Sequence, residues 1–178
     1  MKIGLIRHFK VNCTKKVFMN SQDLIDYAKA YDTSEIIENK IDLYHNQWDK
    51  CYCSDLYRAI KTSETAYGGQ GVQDPLIREV TIDPVIHCPI KLPYLFWSIS
   101  SRVQWYFNIG KSQRELRKHT EKRAGEFLDK LEKGDETNVL VVSHALFLHI
   151  FQKELLKRGY IGTLVVAPKN GVLYVYDK

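Results

Sequence analysis

The sequence predicts a three-layer α/β/α sandwich with a mostly parallel central sheet and an antiparallel strand at its C-terminal end. Three observations carry that expectation. Short runs of strand character alternate with longer segments of helical periodicity, the pattern of βα units. The stretch Val139–Val142 is apolar without interruption, as a strand covered on both faces requires. The last two extended runs flank Lys169-Asn170-Gly171, a turn signal that suits a closing antiparallel hairpin. At 178 residues the chain is expected to be one domain, 1–178, long enough to bury a substantial core.

Taken in order, Ile3–Ile6 reads as a buried strand and Phe9–Asn20 as a polar loop. Ser21 is the expected N-cap of a helix carrying Leu24, Ile25, Ala28 and Tyr31 on one face. Ser34–His45 reads as a short helix with Ile36, Ile37, Ile41 and Tyr44 inward. Trp48–Cys53 is a strand, followed by Ser54 and Asp55 as caps for a helix over Leu56–Tyr67 that Gly68, Gly69 and Gly71 end. Pro75–Val80 is a short extended piece. Pro84–Gly110 breaks the pattern with prolines, glycine and many aromatics, and reads as an irregular, lid-like insertion over about 84–111. Ser112–Lys133 is an amphipathic helix with Leu116, Ala124, Phe127, Leu128 and Leu131 spaced for burial. Thr137–Val142 is the central strand, Ala145–Lys157 a helix, and Ile161–Ala167 and Val172–Tyr176 the closing strands.

Composition is that of an ordinary globular protein, with 44% hydrophobic and 26% charged residues. No window holds the roughly 18 apolar residues of a membrane span, and the strand-like start is unlike a signal peptide, so a cytoplasmic location without membrane partners is expected. Cys13, Cys51, Cys53 and Cys88 form no C-x-x-C pair, which points to buried thiols rather than a disulfide framework or zinc site. The net charge of +5 resides in Lys91–Lys133, which carries ten Lys or Arg against five Asp or Glu. A solvated helix face or steering of an anionic substrate explains this better than nucleic-acid binding.

Chemistry concentrates in four stretches. Arg7-His8 follows the first strand, where open α/β sheets bind ligands; a guanidinium can grip two phosphate oxygens while an imidazole faces phosphorus. Arg58 lies in the first turn of a helix after a strand end. Arg78-Glu79 follows a short extended run. Ser143-His144 joins the central strand to a helix, whose first amides could meet an anion. LIRH, SDLYRAIKTSETA, LIRE and VLVVSHA, in this order, resemble the histidine phosphatase superfamily, the phosphoglycerate-mutase-like family, over nearly the whole chain. The resemblance implies a phosphoglycerate-mutase-like fold. It also implies that His8 is a nucleophile giving a phosphohistidine, that Arg7, Arg58 and His144 bind the phosphate, and that Glu79 is general acid and then base. Such transfer rests on in-line positioning and on positive charge around the equatorial oxygens, and the scheme calls for no metal or cofactor.

The chain departs from the family in places. Phe9 replaces the usual glycine after the histidine, so its side chain must turn from the phosphate or wall the pocket. Lys10 replaces an acidic residue and would favour a second anionic group on the substrate. Thr14 stands where the family often has a phosphate-binding asparagine, leaving Asn12 or Thr14 to take that part, and Ala145 follows His144 in place of glycine. Within the insertion, Arg102 and the aromatics His87, Tyr94, Phe96, Trp97, Trp105, Tyr106 and Phe107 either wall a lid or anchor it to the core. His45, His119 and His149 read as structural or solvent-facing. The leading function is a metal-independent phosphomonoesterase for a small phosphorylated metabolite. The alternatives are a phosphoglycerate mutase and a non-catalytic module holding phosphate or RNA on its basic helix, through Lys111, Arg114, Arg117 and Lys118. Oligomeric state is not legible in these residues.

Overall fold

The computed structural model describes residues 1–41, 43, 48–109 and 115–178. Strands β1 (Lys2–Arg7), β2 (Lys10–Val11) and β3 (Phe18–Met19) precede helix α1 (Ser21–Thr33) and strands β4 (Ile36–Ile37) and β5 (Lys50–Cys53). Helix α2 (Tyr57–Tyr67), β6 (Val72–Gln73), a 3-10 turn at Pro75–Ile77 and β7 (Leu92–Pro93) lead into helices α3 (Tyr94–Phe107) and α4 (Arg117–Glu132). β8 (Asn138–Ser143), α5 (Ala145–Lys157) and β9 (Leu173–Asp177) complete the chain.

The main sheet has the order β6-β5-β8-β1-β9 and is parallel except for the β1–β9 pair. Alternate side chains of each strand enter opposite layers. Ile3, Leu5, Val139 and Val141 pack with Phe127, Leu128 and Leu131 of α4 and with Phe147 and Phe151 of α5. Ile6, Leu140 and Val142 pack with Cys51, Cys53, Trp48, Leu173 and Ala59 of α2. The three-layer expectation holds. Gly4 is required on this second side, because a Cβ there would overlap the Trp48 ring and approach Leu173.

Several local expectations change. The described residues of the segment beginning at Ser34 form no helix: Ile36 and Ile37 pair antiparallel with Val11 and Lys10, as β-branched side chains favour. Tyr44 and His45 of that prediction lie outside the described residues, as do Gly110, Lys111, Ser112 and Arg114. The Phe9–Asn20 loop holds two short strands, and β3 pairs with β7. Asn20, not Ser21, caps α1: its side chain accepts from the Asp23 amide and Asp23 answers to the Asn20 amide, a reciprocal box. Leu56 rather than Ser54 or Asp55 is the N-cap of α2, without a side-chain cap. Pro75–Ile77 is a 3-10 turn capped by Asp74 instead of an extended run. The insertion is regular, since α3 fills half of it, with Trp97 and Trp105 buried and donating to Met19 O and Thr120 Oγ1. These two tryptophans are anchors, whereas Phe96, Tyr106 and Phe107 are exposed. α4 starts at Arg117. Ile161–Ala167 forms only one bridge, Ile161 to Asp177: Tyr176 lies against Gly162, and Gln152 takes the Val165 amide that a ladder would use. All four cysteines are free, and Cys13 and Cys88 are half-buried rather than buried.

Substituting Gly4→Ala should lower unfolding stability by about 1–3 kcal/mol, the usual cost of forcing atoms into a packed core. Urea denaturation would measure it, and an unchanged midpoint would refute the Trp48 contact.

Candidate active site

The register of the sheet builds the site. Arg7 lies opposite Ser143 where β1 and β8 end side by side, so the next residues, His8 and His144, emerge together. Their ring centroids are 5.1 Å apart. The His8 amide donates to Ser143 O at 2.9 Å, which fixes the two strand ends to each other. β5 ends one strand further along, and α2, which follows it, carries Arg58 in its first turn.

His8 is held from three sides. Its carbonyl accepts from Asn170 Nδ2 at 2.6 Å, the Gly171 amide donates to Arg7 O at 2.9 Å, and the Phe9 amide donates to Thr62 Oγ1 at 2.8 Å. Phe9 itself is buried against the turn at Gly171, where φ is +66° and a Cβ would come within 2.9 Å of the ring. That fulfils one of the two options its sequence left open: the ring packs into the protein. His8 Nδ1 lies 2.6 Å from Phe9 O. A carbonyl oxygen only accepts, so Nδ1 carries the hydrogen and Nε2 keeps its lone pair.

The two arginines share one arrangement. Arg7 Nη1 donates to Pro168 O at 3.0 Å, and Arg58 Nη1 to Asp32 Oδ1 at 2.6 Å. In both, Nε is buried without a hydrogen-bond partner. Nη1 is therefore tied to protein, and the opposite edge, Nε with Nη2, is the fork left for an oxyanion. Both nitrogens of His144 are likewise buried and unpartnered. Of the seven such side-chain atoms among the described residues, four belong to Arg7, Arg58 and His144. Buried polar atoms are rarely left so, and their concentration here marks a place built for a polar ligand. His144 is 0% exposed, His8 3% and Arg58 4%.

Burial, helped by the neighbouring Arg58 and Arg7, pushes the His8 imidazole down to about 3, against a smaller opposing effect of the Phe9 carbonyl. Burial first, then Arg58 and His8, holds His144 well below the usual histidine range. Both rings are neutral at pH 7.

Glu79 occupies the position that sequence reasoning offered to an anion. His144 is the N-cap of α5 but its side chain makes no cap bond. Instead Glu79 accepts from the amides of Leu146 and Phe147, each at 3.3 Å, and from its own neighbour Val80 at 2.9 Å. Its segment is fixed by Ser143 Oγ donating to Ile77 O at 2.7 Å and by Arg123 of α4, which donates to Leu76 O and Arg78 O.

Thus Arg7, His8, Arg58, Glu79 and His144 gather at one end of the sheet. Ala145 opens α5 beside them. Lys10, Asn12 and Thr14 are exposed beyond β1. Arg102 of α3 donates to Val80 O at 3.1 Å, one residue past Glu79. Sequence reasoning missed Asp32, Thr62 and Asn170: Thr62 lies within SDLYRAIKTSETA but was given no part, Asn170 was legible only as a turn residue, and Asp32 carries no motif. Of the histidines read as structural, His119 is exposed and its Nδ1 accepts the Leu116 amide at 3.4 Å, while His149 is half-buried. Among the described residues, no group of three or more His, Cys, Asp or Glu side chains is placed to hold a metal ion. No helix among them is long and apolar enough to cross a membrane.

The fold is thus an α/β sheet whose strand ends present neutral histidines beside arginine edges left without protein partners. More particularly, the chain belongs to the histidine phosphatase superfamily (branch 1), whose family model matches residues 40–175. Among solved structures, the alpha-ribazole phosphatase from Shigella flexneri is similar with a TM-score of 0.61 at 17% identity, over 98% of this chain and 89% of that one. A mycobacterial glucosyl-3-phosphoglycerate phosphatase gives 0.57 at 18% identity, over 88% and 79%. A phosphoserine phosphatase from Entamoeba histolytica, solved with 3-phosphoglyceric acid, gives 0.56 at 16% identity, over 88% and 80%. At these identities the likeness is one of fold. No curated protein matches the chain.

The lowered histidines make stability depend on pH. An unfolded histidine takes a proton near 6.5, while folded His8 does so only near 3. Between those values the unfolded chain binds more protons, so stability is greatest above about 6.5 and falls as pH drops, by up to about 1.4 kcal/mol per unit for each such histidine. Urea unfolding at pH 7 and pH 5 should show the loss, and His8→Asn should reduce it while leaving the part that His144 contributes.

Proposed function

We propose that the protein is a metal-independent phosphomonoester hydrolase that works through a phosphohistidine on a small phosphorylated metabolite. The observation that carries this reading is the state of His8: neutral, with Nδ1–H fixed on the Phe9 carbonyl and Nε2 free to attack. The Nε–Nη2 edges of Arg7 and Arg58 and an N–H of His144 grip the equatorial oxygens and balance the charge that develops in transfer. Nε2 forms the bond to phosphorus as the ester oxygen leaves, and Glu79 supplies the proton that makes the leaving group an alcohol. Water then attacks the phosphohistidine and gives its proton to Glu79. Inorganic phosphate departs and the lone pair returns to Nε2. The family membership and the phosphatase names of the structural neighbours support the reaction class.

We assign the leaving group to the side walled by α3, as a lid-like part of a single domain. Support comes from the Arg102 bond to Val80 O, which ties that helix to the residue after Glu79. The exposed Lys10, Asn12 and Thr14 are candidates for a second anionic group on the substrate.

Release of phosphate from p-nitrophenyl phosphate in the presence of EDTA tests the scheme. Turnover should survive chelation and vanish in His8→Ala. Glu79→Gln should reduce it by about 100-fold or more, the usual weight of a general acid, and labelling quenched in alkaline detergent, where the N–P bond survives, should then accumulate phosphohistidine when the leaving group is a good one. Equal turnover in the native chain and His8→Ala would reject the mechanism.

A further inference from the structure

Arg58 is a nearly buried cation, and what surrounds it comes from an element that carries no catalytic group. Two consecutive residues at the C-terminal end of α1 enclose its guanidinium. Asp32 Oδ1 takes Nη1 at 2.6 Å, and the Tyr31 ring covers the group with its centroid 5.0 Å from Cζ. Nη1 is the nitrogen on the far side from Nε–H, so a carboxylate there leaves the Nε–Nη2 edge open instead of occupying it. Arg7, whose Nη1 is tied to Pro168 O, is held the same way by a backbone oxygen. The Tyr31 hydroxyl is pushed up by burial, while Arg58 and Arg7 oppose that shift and Glu79 adds to it.

Resting on the phosphatase reading, we propose that Asp32 and Tyr31 are positioning residues for phosphate. Asp32 fixes the rotation of the guanidinium so that its Nε–Nη2 fork faces the oxyanion, and Tyr31 keeps it there by stacking on its face. Neither touches the reacting atoms. The alternative physical reading of the same contact is a competitor, in which the carboxylate stands in for phosphate and must be displaced. The two differ in sign. A competitor removed would tighten phosphate binding, and a positioner removed would loosen it.

The test uses the full chain and inorganic phosphate, with Kd from calorimetry and KM and kcat from p-nitrophenyl phosphate. Asp32 is 52% exposed, so its replacement leaves the fold intact, and thermal midpoints check this. Asp32→Ala should raise Kd and KM about fivefold or more with a smaller change in kcat. Asp32→Asn, which keeps an acceptor for Nη1, should recover part of the loss. Tyr31→Phe should behave as native and Tyr31→Ala as Asp32→Ala. In an Arg58→Ala background, Asp32→Ala should change Kd no further, because the residue acts only through that arginine. Unchanged or tighter phosphate binding in Asp32→Ala overturns the proposal, as does an equal effect with Arg58 absent. Native protein that binds phosphate through Arg58 but ignores Asp32 rejects the clasp alone. Native protein that binds no phosphate rejects the phosphatase reading and the clasp with it.

Discussion

The parallel pairing of β1 with β8 is the constraint on which the site depends. A strand has side-chain period two, so a slip of one residue would turn His8 to the opposite layer while His144 stayed in place. The register is protected because both strands are covered on both faces. Ile3 and Leu5 enter one layer, and Gly4 and Ile6 the other. A shift would place Leu5 or Ile3 under Trp48, where only glycine fits. The bond from the His8 amide to Ser143 O then carries the register one residue past the end of β1. Packing far from the chemistry thus sets the distance between the two imidazoles.

Burial does the second part of the work, and it acts differently on the two kinds of base. It removes the proton from the histidines, which leaves their ring nitrogens free to act as bases at neutral pH, while arginine keeps its charge under the same conditions. A histidine beside two guanidinium groups is further discouraged from protonation, so the same two arginines help to keep His8 neutral. The cost is that polar atoms are left inside the protein. The structure limits that cost by giving each arginine one firm protein acceptor and by giving the α5 amides to Glu79. The helix N-terminus therefore orients the Glu79 carboxylate, and the unpartnered polar atoms nearby belong to side chains.

Legibility in the sequence followed the range of the interactions. Val139–Val142 and the Phe127-Leu128-Leu131 face could be read because burial repeats with the local period, and Arg7, His8, Arg58 and His144 because each stands at a strand end or helix start; Glu79, two residues past a 3-10 turn, was legible only through the LIRE motif. What escaped depended on partners far along the chain. Ile36 and Ile37 have helical spacing with their neighbours, and only the edge offered by Lys10–Val11 makes them a strand. Ile161–Ala167 has strand composition, yet Gln152 and Tyr176 satisfy its backbone from the side. Thr62 and Asn170 are ordinary residues whose importance comes from reaching the Arg7–Phe9 backbone across 53 and 162 residues of sequence.

The same distinction explains how the family match and the site fit together. The family model matches from residue 40, which includes Arg58, Glu79 and His144 but leaves Arg7 and His8 outside. The family match therefore covers three of the five gathered residues and leaves the Arg7-His8 pair to be placed by the fold. The sheet closes that gap. β8 lies inside the matched region, β1 pairs with it residue by residue from Lys2–Asn138 to Arg7–Ser143, and no other position of β1 brings an imidazole beside His144. His8 is thus placed by hydrogen-bond register in a part of the chain outside the matched range, where LIRH resembles the family while Phe9 and Lys10 depart from it. The preceding strand is apolar through Ile3–Ile6 because both of its faces are covered. The departures from the resemblance come just after it, where Phe9 packs against Gly171 and Lys10 pairs with Ile37.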